Sequence, residues 1–127
     1  MNSQEIVGEF LVIFPEHKEY FDEHIEDYGE LLQHIFYADA INNPLFDLLK
    51  NNNDSEQIKK YVHFIEYMWL RGDESVQNVV DVTILERLSD DKDVWNNLSA
   101  YISDEFKDYI NKDLLSQNCA MWHVEPI

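Results

Sequence analysis

The stretch Asp54–Gly72, with the sequence DSEQIKKYVHFIEYMWLRG, decides the fold class. Its apolar residues recur every three or four positions, which is the period of an amphipathic helix. Asp54 can cap the first turn, with Gln57 three residues later, much as in a capping box. Gly72 is a C-terminal stop signal, and Asp73 can serve as the N-cap of the next helix. The apolar stripe consists of Ile58, Tyr61, Val62, Ile65, Met68 and Trp69.

Helical spacing extends toward the amino terminus. The apolar residues between Ile6 and Phe14 follow the same rhythm, and Pro15 ends that segment. A second set, over 21–32, repeats at intervals of four, three and four residues, with Gly29 capping one helix and the next beginning at Glu30. These patterns predict two or three short helices before residue 40. The second apolar set consists of Phe21, Ile25, Tyr28 and Leu32.

The middle of the chain contains two predicted breaks. The run Asn42-Asn43-Pro44 is expected to interrupt the helical pattern, and a short helix is expected over Leu45–Leu49, after the proline. The polar run 51–54 is the clearest loop. It is too short to be a domain linker, so the sequence predicts one domain over residues 1–127.

The carboxy-terminal half contains one ambiguous segment. Several β-branched residues between Val76 and Leu88 would suit a strand, but 73–89 has no internal break and its apolar residues share a helical face, which favours a helix. Another helix is expected over 94–102, and Ser103 is expected to cap a last one. The predicted fold is all-α: six or seven short helices in an irregular bundle or a small α-solenoid.

Composition excludes several partners. The 127 residues include 26 acids and 9 Lys plus Arg, which gives a formal net charge of -17, while 45% hydrophobic residues suffice for a core. A surface so negative repels nucleic-acid phosphates and anionic lipid, so direct nucleic-acid and membrane contacts are not expected. The single cysteine, Cys119, cannot form an internal disulfide and is expected to be a buried inert thiol. Without a basic leader or a long apolar run, the expected location is cytoplasmic.

Negative charge is concentrated near the amino terminus. Five glutamates step by three and four residues from Glu16 to Glu30, which on one helix would form a continuous face. Like charges at this spacing destabilise an isolated helix by about 0.2–0.5 kcal/mol per pair. This segment is either a solvated face or a surface that binds a basic partner. The predicted partner-binding residues are Glu19, Asp22, Glu23, Glu26, Asp27 and Glu30.

Enzymatic signatures are sparse. Three glycines cannot form a phosphate-binding loop or a dinucleotide fingerprint. His24, Asp27, Glu30 and His34 are close in sequence and form a candidate metal cluster, with Glu30 and His34 placed to share a helix face. Ordinary polar or half-buried histidines are the favoured interpretation, because no paired Glu-x-x-His motif or zinc spacing is present. We therefore expect no catalytic residues, no metal and no cofactor.

Aromatic residues are abundant, and most are expected in the core. Four are candidates for exposure, and exposed Tyr or Trp among acids would suit an interface with a basic surface. These are Tyr20, Tyr28, Tyr37 and Trp122.

Two blocks of sequence resemble a family of small, acidic, helical bacterial proteins of uncharacterised function. The first is Tyr28–Phe36, with Gly29-Glu30-Leu31-Leu32 followed by His34, and the second is Gly72–Val80, followed by Leu85-Glu86-Arg87-Leu88. The start Phe14-Pro15-Glu16 also fits, so the resemblance covers roughly residues 10–90. Some relatives resemble immunity proteins of interbacterial toxin systems, including contact-dependent growth inhibition. The resemblance implies a helical fold and a cytoplasmic antitoxin role, and it brings no catalytic residues.

The leading functional hypothesis is therefore a non-enzymatic immunity protein. It would neutralise a cognate protein toxin with a basic surface, expected to be a nuclease, through its acidic surface. Two alternatives remain open: a small metal-dependent enzyme that uses the His24–His34 cluster, and a helical protein-interaction adaptor whose charge only maintains solubility.

Overall fold

The protein is all-α, as the sequence predicted. The computed structural model describes residues 1–114, of which 82% are helical, with no strand among them. The predictions for Cys119 and Trp122 lie outside the described residues. The helices are α1 (Ser3–Ile13), α2 (Lys18–Tyr28), α3 (Gln33–Tyr37), α4 (Asn43–Asn51), α5 (Ser55–Arg71), α6 (Glu74–Val79), α7 (Glu86–Leu88), α8 (Lys92–Leu98) and α9 (Asp104–Tyr109).

Three π-helical segments and one 3₁₀ turn extend these helices. The π segment Ala38–Asn42 joins α3 to α4, Val80–Leu85 joins α6 to α7, and Ile110–Leu114 continues α9, while the 3₁₀ turn Pro15–His17 leads into α2. Within the described part, the continuous helices therefore number seven. This agrees with the six or seven predicted.

Helix α5 packs antiparallel to α1. At one end of the pair, the Met1 amino nitrogen donates to the Arg71 carbonyl at 2.7 Å. At the other end, the rings of Phe14 and Tyr61 stack with centroids 4.5 Å apart. One contiguous core contains buried residues from α1, the continuous helices over 33–51 and 74–88, α5, α8 and α9. The described residues therefore form a single small all-α domain. In residues 1–114 no helix combines the length and apolar character needed to cross a membrane.

The predicted caps of the central region are confirmed. The Asp54 carboxylate accepts from the Gln57 backbone N–H at 3.4 Å and begins α5. Asp73 does the same for Val76 at 3.0 Å and begins α6, directly after Gly72 ends α5. These side chains satisfy backbone donors that a helix start leaves without intrahelical partners. Five of the six predicted stripe residues of α5 are buried, and Trp69 is half-buried.

The predicted interruption at Asn42-Asn43-Pro44 is wrong. The helix runs without a break over 33–51, because the chain adopts a π turn before the proline. In this turn the Asn43 N–H donates to the Ala38 carbonyl, five residues back. Pro44, which has no N–H to donate, comes directly after this turn at the start of α4. The expected helix over Leu45–Leu49 lies within α4.

The carboxy-terminal half follows the prediction with one correction. The ambiguous β-branched segment is helical over 74–88, because its apolar face is buried in the core. The helix expected over 94–102 ends at Leu98, and Tyr101 and Ile102 lie in a turn. Ser103 caps α9 as predicted, accepting from the Phe106 N–H at 3.2 Å.

Candidate protein-binding surface

Five of the six predicted partner-binding residues lie on α2, and all six are exposed. Glu30, the sixth, lies beyond Gly29 in the loop before α3, and Glu16 lies in the 3₁₀ turn. The continuous face expected from Glu16 to Glu30 is therefore wrong, because α2 covers only residues 18–28. Gly29 ends it with φ of 75°, a left-handed conformation that favours glycine. We call the helical part the acidic face of α2, formed by Glu19, Asp22, Glu23, Glu26 and Asp27.

Little positive charge compensates the acidic face of α2. Lys18 contacts Asp22 at 2.6 Å, but both side chains are more than half exposed. An ion pair this exposed contributes about 0–1 kcal/mol. In the described part of the chain, the remaining carboxylates of this face have no ion pair, although several are neighbours at i,i+4. Mutual repulsion among these carboxylates therefore works against folding, and the acidic face does not stabilise the domain.

Aromatic side chains attach α2 to the core. The Tyr20 ring stacks on Phe36 of α3, with centroids 5.4 Å apart and an interplanar angle of 12°. Phe21 meets the same ring edge-on at 5.7 Å. Both α2 rings are only partly buried. The helix is thus held by one layer of rings, and its charged side is left free to face a partner.

His24 is the one buried side chain of α2, and it fixes the adjoining loop. Its Nε2 accepts a hydrogen bond from the Leu32 backbone N–H at 3.0 Å, while the residue is 2% exposed. Burial lowers the pKa of His24, although Asp27 and Asp39 raise it in part. The neutral ring therefore closes the loop over 29–32 and thereby helps to position Glu30. Sequence reasoning expected an ordinary polar or half-buried histidine and missed this role, since eight residues separate acceptor and donor.

The candidate metal cluster is not assembled. Glu30 and His34 do not share a helix face, because α3 begins only at Gln33. His34 instead places Nδ1 2.6 Å from the Thr83 hydroxyl, and the Nε2 of His24 is occupied by Leu32. Across residues 1–114, no three His, Cys, Asp or Glu side chains are grouped so as to hold a metal ion.

Of the three tyrosines that were candidates for exposure, one is exposed. Tyr28, at the end of α2, is 49% exposed. Tyr20 is half-buried and donates its hydroxyl to Asp39 at 2.5 Å, and burial together with this carboxylate raises its pKa. Tyr37 is fully buried, so this candidate belongs to the core, which was the favoured interpretation for each of these aromatics. It faces inward because its ring meets Phe10 of α1 edge-on at 5.6 Å.

Two large apolar side chains near the end of α2 are exposed. Tyr28 and Ile35, on either side of the loop over 29–32, are 49% and 41% exposed. Exposed tyrosines commonly anchor protein interfaces, and the acidic face of α2 presents carboxylates on the same helix. Chemically, this surface can bind a cationic protein surface.

Comparison with known proteins identifies the family. No match was found among curated proteins or among solved structures. The family described as a domain of unknown function, DUF7674, matches residues 7–117. The match contains both sequence blocks that resembled a family of uncharacterised function, and it covers most of the chain. The protein therefore belongs to the DUF7674 family.

Proposed function

We propose that this protein is an immunity protein that binds and neutralises a protein toxin with a basic surface, and that this toxin is a nuclease. The observation that carries the proposal is the acidic face of α2: five exposed carboxylates with a single exposed ion pair among the described residues. Repulsion among these like charges opposes folding. A basic partner would convert them into favourable contacts.

Nuclease chemistry fits such an inhibitor. A nuclease must attract phosphates, so its cleft carries Lys and Arg. Carboxylates on the inhibitor would occupy the positions of those phosphates or block the approach to them. Opposite charges would also steer the encounter and speed association, an effect that salt suppresses. The proposed role needs no catalytic residue, cofactor, metal, nucleic-acid contact or membrane contact by this chain, and it belongs in the cytoplasm of a bacterium.

The test is co-expression with the product of the neighbouring gene. We expect the two proteins to co-purify as a stoichiometric complex and the pair to rescue growth that the neighbour alone arrests. The association rate should fall steeply as sodium chloride is raised, because the Debye length shortens from about 10 Å at 0.1 M to 3 Å at 1 M.

A neighbour that is harmless alone and does not co-purify would contradict the proposal. Co-purification without any growth arrest would instead favour the helical adaptor.

A further inference from the structure

The hydrogen bond of His24 fixes which of its ring nitrogens carries the proton. Nε2 accepts from the Leu32 backbone N–H at 3.0 Å. A neutral imidazole has one donor and one acceptor, so the proton lies on Nδ1. Nδ1 is buried and has no hydrogen-bond partner in the part of the chain that the structure describes. The closed loop over 29–32 thus depends on a neutral ring whose only N–H has no acceptor.

Protonation of His24 would remove the acceptor on which this loop depends. Both nitrogens of an imidazolium are donors, so Nε2 and the Leu32 N–H would face each other as two donors across 3.0 Å. The residue is only 2% exposed, and burying an unpaired charge costs free energy. The charged ring is therefore incompatible with the closed loop, and either the ring or the loop must move toward water.

The charged groups around the ring do not compensate for this loss. The side chains that face the imidazole are Tyr20, Asp27 and Tyr28 on α2, and Phe36 and Asp39 on the helix over 33–51. Asp27 and Asp39 favour the protonated ring, but burial has the larger effect and lowers the pKa of His24. Both Asp39 oxygens already accept, one from the Tyr20 hydroxyl at 2.5 Å and the other from the Asn43 amide at 3.2 Å. Neither carboxylate accepts from Nδ1, so the closed loop favours the neutral ring.

The loop over 29–32 contributes no fully buried side chain to the domain. Gly29 and Glu30 are exposed, while Leu31 and Leu32 are only partly buried. His24 is also the one buried residue of α2, whereas the core is formed by the other helices. Segments with few buried contacts open before a whole domain unfolds. Loss of the His24 hydrogen bond can therefore open the loop while the core stays packed.

We propose that His24 is a pH-sensitive switch: its protonation opens the loop over 29–32 and frees the adjoining end of α2, while the rest of the domain stays folded. Because burial lowers the pKa of the ring in the closed state, opening becomes easier as the pH falls below the ordinary value of 6.5. Above that value the closed loop is favoured. Glu30 lies in this loop, so opening would also move one of the six predicted partner-binding residues.

Native-state amide hydrogen exchange on the full chain tests this switch without any partner. The protection factor of the Leu32 amide, corrected for the intrinsic exchange rate at each pH, is measured by NMR at pH 7 and pH 5.5. We expect it to fall several-fold, and by no more than about tenfold per pH unit, which is the limit for one proton. Low concentrations of urea should leave it unchanged, because a local opening exposes little new surface. Amides of α5 should be protected more strongly and should lose protection as urea is added.

Two variants separate His24 from the histidine at the other end of α2. His24→Gln retains an acceptor for the Leu32 N–H but cannot titrate, so protection of this amide should no longer depend on pH. His17→Gln is the matched control. The Nε2 of His17 lies 2.9 Å from the Tyr61 hydroxyl, which can accept as well as donate, so this contact survives protonation. The control variant should keep the pH dependence of the unmodified protein.

Three results would overturn the proposal. The Leu32 amide could be equally protected at both pH values in the unmodified protein. Its protection could depend on urea as steeply as that of α5, which would show that the loop opens only when the whole domain unfolds. Finally, His24→Gln could retain the pH dependence, which would assign the opening to another group.

Discussion

Helices α2 and α5 differ in how many of their side chains are buried in the core. Helix α5 has 17 residues, and six of its side chains are buried in the core. Helix α2 has 11 residues, and only His24 is buried. The two helices also begin differently, because Asp54 caps α5 with its side chain whereas α2 has no side-chain cap and follows a 3₁₀ turn.

The two helices therefore contribute differently: α5 stabilises the fold, and α2 presents a charged surface. The residues of α5 serve the fold, since their burial removes apolar surface from water. The residues of α2 add mutual repulsion and only a partly buried ring layer. A helix that contributes so little to the core and so much charge to the surface is better explained by a partner than by folding.

The largest effect is expected in α5. Phe64 is 1% exposed and contacts the Phe10 ring edge-on at 5.2 Å. Phe64→Ala should lower the free energy of unfolding by about 3–5 kcal/mol, as expected for a phenylalanine removed from a core. Phe21→Ala on α2 removes the same group from a partly buried position and should cost clearly less. Denaturant unfolding measures both changes, and equal losses of unfolding free energy would contradict the difference between α5 and α2.

A smaller effect is expected where α5 begins. Asp54→Ala removes the cap and places alanine at a φ of 54°, so it should cost about 1–2 kcal/mol. Asp54→Asn retains an acceptor and tolerates the left-handed conformation, so it should stay close to the unmodified protein. If the two variants unfold at the same denaturant concentration, the cap does not stabilise α5.

The extent of each helix could be predicted where local chemistry decides it. The α5 stripe and the caps Asp54, Asp73 and Ser103 depend on spacing and on residues within one turn. The π turn before Pro44 could not be predicted in this way. The Asn42 side chain near this turn bonds to the Ile84 carbonyl, 42 residues away, and no local pattern contains that contact.

The candidate surface was predictable in composition but not in shape. Exposure of the six acids follows from charge alone. The end of α2 at Gly29 separated Glu30 from the helical face. Gly29 was recognised as a cap, but the next helix was placed three residues too early. The burial of Tyr37 depends on Phe10 of another helix, which the sequence around Tyr37 does not indicate.

His24 should make stability depend on pH. Burial holds its folded-state pKa below the ordinary value of 6.5, so the unfolded chain takes up a proton first as the pH falls. The free energy of unfolding therefore decreases below pH 6.5, by at most about 1.4 kcal/mol per pH unit for one proton. His24→Gln retains an acceptor for the Leu32 N–H and should flatten this slope in denaturant unfolding between pH 7 and 5.5.

The matched control is His63→Gln, which changes an exposed imidazole on α5. It should retain the slope of the unmodified protein. An unchanged slope in His24→Gln would contradict the assigned role of the buried ring.

The smallest effect on stability is expected on the acidic face of α2. The double reversal Glu23→Lys with Glu26→Lys replaces several like-charge neighbours by opposite ones, each worth about 0.2–0.5 kcal/mol. The melting temperature of the free protein should therefore stay the same or rise slightly in a calorimetric scan. A marked fall would show that these carboxylates stabilise the fold and would remove the contrast with α5.

The same double variant gives the most direct test of the central claim, that the acidic face of α2 binds a basic partner. Its affinity for the co-purified toxin should be measured beside Glu9→Lys with Asp47→Lys, which reverses two exposed acids on α1 and α4. Each double variant changes the net charge equally. We predict that the α2 variant loses several kcal/mol of binding free energy and no longer protects cells, while the control binds nearly normally. Equal affinity of the two variants would contradict the account and place the interface elsewhere.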